Sequence, residues 1–278
     1  LDPRPPLEHM IRIRSGQASE GLRLQDVWGF RELLFSFCGR EFLVRHKQTL
    51  LGPAWLVLQP LLQAVLFAVF MHGLARVPSD GPPYGLFAYA GLLPWLFFSN
   101  GVQSLSYGLM MNSHLVTRVY FPRVLIPLSM VLVRLVDFTA AVLVFLPVAF
   151  ALGLSPNWQL LLLPVLMMQA ACLTLGLGAW SSCLTSRFRD FGTLLPVALQ
   201  FAMFASPVIY PSSLVPEAWR PAYFLNPMTG LIETFRACVF GKPFPTATWA
   251  MSAGLTMALT LLGLRAFSRM EARAIEAL

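Results

Sequence analysis

The feature that most constrains this chain is a succession of apolar runs, each about as long as a bilayer is thick. A helix needs about 20 predominantly apolar residues to cross the hydrocarbon core. Five runs meet that requirement, Leu51 to Gly73, Leu86 to Met110, Val124 to Leu152, Leu160 to Thr185 and Phe191 to Tyr210, and Trp249 to Leu264, extending toward Phe267, makes a sixth. Backbone polar groups in lipid must be satisfied within the segment, so such runs are helices. The expected fold is an all-α integral membrane protein whose six transmembrane helices occupy residues 49–270. Apolar residues make up 56% of the 278 and charged residues 12%, which excludes a soluble domain.

The net charge of +7 is spread through short connections between apolar runs and forms no compact patch, so no nucleic-acid partner is expected. Membrane topology explains the charge better. Cys38, Cys172, Cys183 and Cys238 have no metal-type spacing, and no metal site is expected. Residues 1–24, polar and with three prolines, read as a flexible cytoplasmic tail with no signal peptide. A P-loop requires Gly, four residues, then Gly-Lys and Ser or Thr; the nearest match, Gly241-Lys242, is followed by Pro243. No nucleotide site or other cofactor is therefore expected on this chain.

Residues 25–48 read as an amphipathic helix lying in the membrane surface. From Val27 to His46, Phe30, Leu33, Leu34, Phe37 and Val44 fall on one face, and Glu32, Ser36, Gly39, Arg40 and His46 on the other, with Glu41 and Phe42 fitting poorly. It ends in Arg45, His46 and Lys47, a cluster that also serves as a plain topology signal. Between the fifth and sixth runs, residues 212–242 are broken by Pro216, Pro221 and Pro227 into pieces too short to cross, which predicts a re-entrant helical hairpin. With the amino terminus inside, eleven Lys and Arg flank the inner ends (Arg31, Arg40, Arg45, Lys47, Arg118, Arg123, Arg187, Arg189, Arg265, Arg269 and Arg273). Four lie outside (Arg76, Arg220, Arg236 and Lys242). Both termini, including residues 271–278, are thus expected in the cytoplasm, with residues 112–123 and the turn Ser186 to Phe191 on the same side and the hairpin opposite.

Three groups of residues are candidates for function. Arg118 and Arg123 bracket Tyr120, Phe121 and Pro122 in a loop that is either an interfacial anchor or a knob for a socket on another protein. In the knob reading Phe121 is the apolar anchor and the two arginines pair at the rim. Trp55, Gln59, Gln63, Phe67 and Phe70 run along one side of the first span, and Pro196, Gln200, Phe204 and Pro207 form a similar stripe in the fifth. Two stripes of amides and aromatic rings suit a passage for a sugar chain; interhelical hydrogen bonding is the plainer alternative. Arg134 and Asp137, three residues apart inside the third run, are expected to pair on one helical face and lock helices together.

The segments RHKQTLLGPAWLVLQP, FAYAGLLPWLFFSN, NSHLVTRVYFPRVLIPLS, SRFRDF, SPVIYPSSLVPEAWR and LNPMTGLIETFR, in this order, resemble the membrane (permease) subunit of bacterial type-2 ABC exporters for O-antigen, teichoic acid and related polysaccharides. The resemblance covers roughly Asp26 to Arg269. It implies a homodimer paired with two copies of a separate cytoplasmic ABC ATPase, which carries the ATP and Mg, and a lipid-diphosphate-linked polysaccharide as substrate, in the bacterial inner membrane. It also implies that residues 112–123 are the coupling helix, with Arg187, Arg189 and Asp190 as a second cytoplasmic contact. The helix with Arg40, Arg45, His46 and Lys47 lies near the access route of the lipid diphosphate, and residues 212–242 correspond to periplasmic gate helices. A capsular or teichoic-acid polymer is an alternative substrate. An ATP-independent scaffold or channel is the alternative from another class, and a membrane transferase ranks last for want of an acid-rich catalytic loop.

Overall fold

The computed structural model describes residues 28–46, 52–113, 115 and 121–276, and within them the side chains of all but His46 and residues 271–276. The expected tail at 1–24, Lys47, Arg118 and Tyr120 lie outside the described residues. Every regular element among those described is helical. The chain runs through α1 (Arg31–His46), α2 (Trp55–Phe67), α3 (Tyr84–Ser106), the short α4 (Gly108–Met111), α5 (Leu125–Ala151), α6 (Leu163–Arg187), α7 (Arg189–Phe204), the short α8 (Arg220–Phe224), α9 (Pro227–Phe240) and α10 (Thr246–Glu276). A 3-10 turn, Gly52–Ala54, leads into α2, and a π-helical stretch, Ala68–Leu74, continues it.

Five of these segments are long and apolar enough to cross a membrane: Gly52–Leu74, Tyr84–Ser106, Leu125–Ala151, Trp158–Arg187 and Thr246–Met270. The run expected to give the fifth crossing, Phe191 to Tyr210, forms a helix of 16 residues that stops at Phe204. At about 1.5 Å per residue it measures about 24 Å, short of a core of about 30 Å. Pro207 accounts for the stop, since a proline denies the helix a donor and disfavours helical geometry in the residue before it. The remaining residues to Tyr210 form turns.

α3 is the hub, packing against α2, α5, α6 and α9 with most of its side chains buried. α6 and α10 pack tightly along each other. A Cβ on Gly176 would lie 2.5 Å from the Cα of Thr260, and one on Gly263 would strike the Gly176 backbone. Small residues at such a crossing let helices approach where lipid supplies no hydrophobic driving force between them. Polar bonds secure the pair: the Thr260 hydroxyl donates to the Cys172 carbonyl at 2.9 Å, and Gln169 donates to Ser252 at 2.9 Å while accepting from the Trp249 indole at 3.1 Å.

α1 lies along α5. Phe30, Leu33, Leu34 and Phe37 pack on the core as the pattern predicts, but Val44 is 70% exposed. The cause is its neighbour. Arg45 turns inward to an acid on α5, and consecutive residues point about 100° apart on a helix, so Val44 turns out.

Candidate coupling and passage site

At the end of the bundle where α3 finishes and α5 begins, Phe121 is 5% exposed, its ring centroid 5.5 Å from that of Phe37 in an edge-on contact. The expected anchor for a partner's pocket is therefore occupied within its own chain. An aromatic ring beside an amphipathic helix gains more by covering that helix than by standing in water. Pro122 and Arg123 are half-buried beside it. At the same end, α6 stops at Arg187, Phe188 adopts an extended conformation, and α7 starts at Arg189 with Asp190 in its first turn, where an acid complements the helix dipole. Arg187, Arg189 and Asp190 are exposed, as is Phe188 at 54%, with the Arg187 guanidinium 5.1 Å from its ring centroid. Phe188 carries no signal in the sequence that separates it from Phe121; the structure buries Phe121 and leaves Phe188 uncovered.

The pair expected between Arg134 and Asp137 does not form. Asp137 instead accepts from Arg45 of α1 at 2.5 Å, and Arg45 also reaches Glu41 at 3.4 Å. Arg134 donates to the Ser104 hydroxyl of α3, and its Nε is buried without a hydrogen-bond partner. A spacing of three on one helix permits a pair, but here each group takes a partner on another helix, Ser104 on α3 for Arg134 and Arg45 on α1 for Asp137. Arg40 stays exposed, 3.4 Å from the Asn112 side-chain oxygen. Arg45, Trp55, Gln59, Asn100, Arg134 and Asp137 line a cavity of about 210 Å³ between α1, the first span, α3 and α5. Two guanidinium groups and one carboxylate make it cationic. Asn100 and Ser104 were missed because amide and hydroxyl residues on an apolar run carry no distinctive spacing.

The two stripes lie on thinly covered helices. In α2 only Pro60 and Ala64 are buried, and in α7 only Gly192. Trp55, Gln59 and Phe70 are exposed, while Gln63 and Phe67 are half-buried. Gln200 and Phe204 are exposed. α2 packs against α3 and α5, whereas α7 packs against α6 and α3. Within one chain the two stripes thus lie on helices that share α3 as a neighbour but do not pack extensively on each other.

At the opposite end, residues 212–242 form two 3-10 turns, Ser212–Leu214 and Glu217–Trp219, then α8 and α9. α9 is 14 residues, about 21 Å long, and most of it is buried against α3 and α10. Arg236, counted from sequence among loop charges, lies inside the protein at 5% exposure.

A bundle of long apolar helices with a short broken helix and a cationic cavity near one end is the architecture of a multi-pass membrane protein. The chain belongs to the ABC-2 type transporter family, whose model matches residues 32–240. It is similar to an O-antigen export system permease protein, RfbA, of Myxococcus xanthus, at 28% identity over 226 residues, 81% of this chain and 86% of the relative. A permease of the same description from Klebsiella pneumoniae is 25% identical over 248 residues, 89% of this chain and 95% of the relative.

Proposed function

We propose that this chain is the membrane subunit of an ATP-driven exporter that moves a lipid-diphosphate-linked, O-antigen-like polysaccharide from cytoplasm to periplasm, through a passage between two copies in the bacterial inner membrane. Each copy engages a cytoplasmic ABC ATPase, which carries ATP and Mg. In this reading both termini are cytoplasmic, and α7 with the turns after it makes the fifth of six crossings. Residues 112–123 act as the coupling helix, seconded by Arg187, Phe188, Arg189 and Asp190, and residues 212–242 form the re-entrant gate on the far side.

One observation carries the passage: α2 and α7 bury almost nothing in their own chain, yet both carry amides, Gln59, Gln63 and Gln200. An amide left facing hydrocarbon loses about 2 kcal/mol or more of hydrogen bonding. A second copy that brings its α7 opposite this α2 encloses both stripes around water and sugar, where amides meet hydroxyls and aromatic rings meet apolar sugar faces. The cationic cavity supports the lipid-diphosphate end of the reading. Arg134 lies nine residues into α5, about 14 Å from that end of the helix, with a spare donor at Nε. A diphosphate drawn in from the cytoplasmic leaflet meets Arg45, Arg134 and Asn100 there.

The test combines co-purification and export. The chain should bring down an ATPase, and the double substitution Gln59→Leu and Gln63→Leu should leave that capture intact while reducing surface glycan at least tenfold. Capture of no ATPase contradicts the exporter reading; full export by the double variant contradicts the passage reading.

A further inference from the structure

Arg236 sits in the middle of α9, and among the described residues no carboxylate lies within ion-pair distance of it. A buried charge without a counter-ion is costly unless its hydrogen bonds are met. Here they are met by backbone. Nε donates to the Phe87 carbonyl at 3.1 Å, Nη2 to the Val208 carbonyl at 2.6 Å, and Nη1 to the Pro207 carbonyl. The guanidinium carbon lies 3.5 Å from the Phe87 ring centroid, a cation–π contact. α3 makes room for this fork with Gly91, where a Cβ would collide with the guanidinium and lie 2.7 Å from the Val208 carbonyl.

Two of these carbonyls, Pro207 and Val208, belong to the turn that follows the broken end of α7. Beyond Phe204 the helix leaves its carbonyls without internal partners, and that end carries partial negative charge. Each neighbour supplies donors. Tyr84 of α3 donates to the Ile209 carbonyl at 2.6 Å. Asn226, which caps α9 by accepting from the Met228 amide at 3.0 Å, donates to the Ser206 hydroxyl at 2.8 Å and the Ala205 carbonyl at 3.3 Å. Arg236 alone among them spans three elements, because its planar fork presents several donors at fixed angles.

We infer that Arg236 is a positioning residue that fastens the hairpin end of α7 to α3 and α9, so that the wall of the passage and the outward hairpin move as one body. α7 cannot open away from the hairpin while the fork holds. Any widening there carries α3 and α9 with it. The consequence for export rests on the passage reading above; the fastening itself is tested apart from it.

The experiment uses the full chain in lipid nanodiscs, with Cys38, Cys172, Cys183 and Cys238 replaced by Ser and Val208→Cys as reporter, Val208 being fully buried. With Arg236 in place a water-soluble maleimide should label the reporter slowly. Arg236→Lys, which keeps the charge but offers a single nitrogen, and Gly91→Ala, which displaces the guanidinium without removing it, should each speed labelling at least tenfold. Arg236→Gln should do the same; if it fails to reach the membrane, the other two variants decide. Reporter protection unchanged in both Arg236→Lys and Gly91→Ala overturns the fastening. Faster labelling with normal export upholds the fastening and overturns α7 as passage wall instead.

Discussion

Replacing Asp137 by Asn removes the carboxylate that draws Arg45 of α1 onto α5, and its effect can be worked out from the geometry. The pair is close, 2.5 Å, with side chains 19% and 9% exposed. Removing one partner of a buried ion pair costs about 3–5 kcal/mol. Arg45 keeps Glu41 at 3.4 Å as a second partner, which offsets part of that loss. A net weakening of α1 docking by about 2 kcal/mol follows, within the range for hydrogen bonds to charged groups. The native Cys38 reports it, because its thiol donates to the Ser129 carbonyl on α5 at 3.8 Å and is half-buried while α1 is docked. Burial raises the Cys38 pKa above its ordinary value, so release of the helix also restores thiolate and acts in the same direction. With the other three cysteines replaced by Ser, Asp137→Asn should raise the maleimide reaction rate of Cys38 several-fold, the gain being limited by the reaction of the half-buried thiol while α1 is docked. The double variant Arg45→Met with Asp137→Leu should recover most of the protection, because apolar packing can replace a buried pair. Cys38 reactivity within twofold of the parent in Asp137→Asn would refute the reasoning.

Two further outcomes are expected. Phe121→Ala removes a buried ring that contacts Phe37, at a cost of about 3–5 kcal/mol. It should lower the thermal midpoint of the purified chain and expose Cys38, whereas a plug held by the ATPase would leave both unchanged and weaken capture alone. For topology, an impermeant thiol reagent should reach Ser213→Cys in intact cells and Phe188→Cys only after permeabilisation, both positions being exposed; the reverse pattern contradicts cytoplasmic termini.

The long helices were legible because lipid imposes a length and a polarity that few other environments demand. The boundaries of Leu125–Ala151 and Trp158–Arg187 fall within three residues of those read from hydropathy. The run to Tyr210 was overextended because hydropathy does not register that Pro207 breaks the ladder while leaving the segment apolar. Side-chain partners were far less legible. Arg134 and Asp137 satisfy a local spacing rule, and the sequence contains nothing to say that Arg45, 92 residues before Asp137, outcompetes it. Phe121 reads as exposed because it stands among arginines, yet its burial depends on where Phe37 is delivered by a separate helix. Arg236 reads as a loop charge for the same reason: its three acceptors are backbone carbonyls, which leave no trace in residue type.

The most direct test of the central claim, a passage enclosed by two copies, is cross-linking across it. Gln63 lies 11 residues beyond Gly52 and Gln200 lies 11 residues beyond Arg189, so both stand about 16 Å from the same end of the bundle. With Gln63→Cys and Gln200→Cys in one cysteine-free chain, a short cleavable bis-maleimide should give a covalent dimer in membranes and stop glycan export, which returns when the linker is cleaved. A chain that stays monomeric under the reagent, or one that is linked and exports at the parental rate, would contradict the passage.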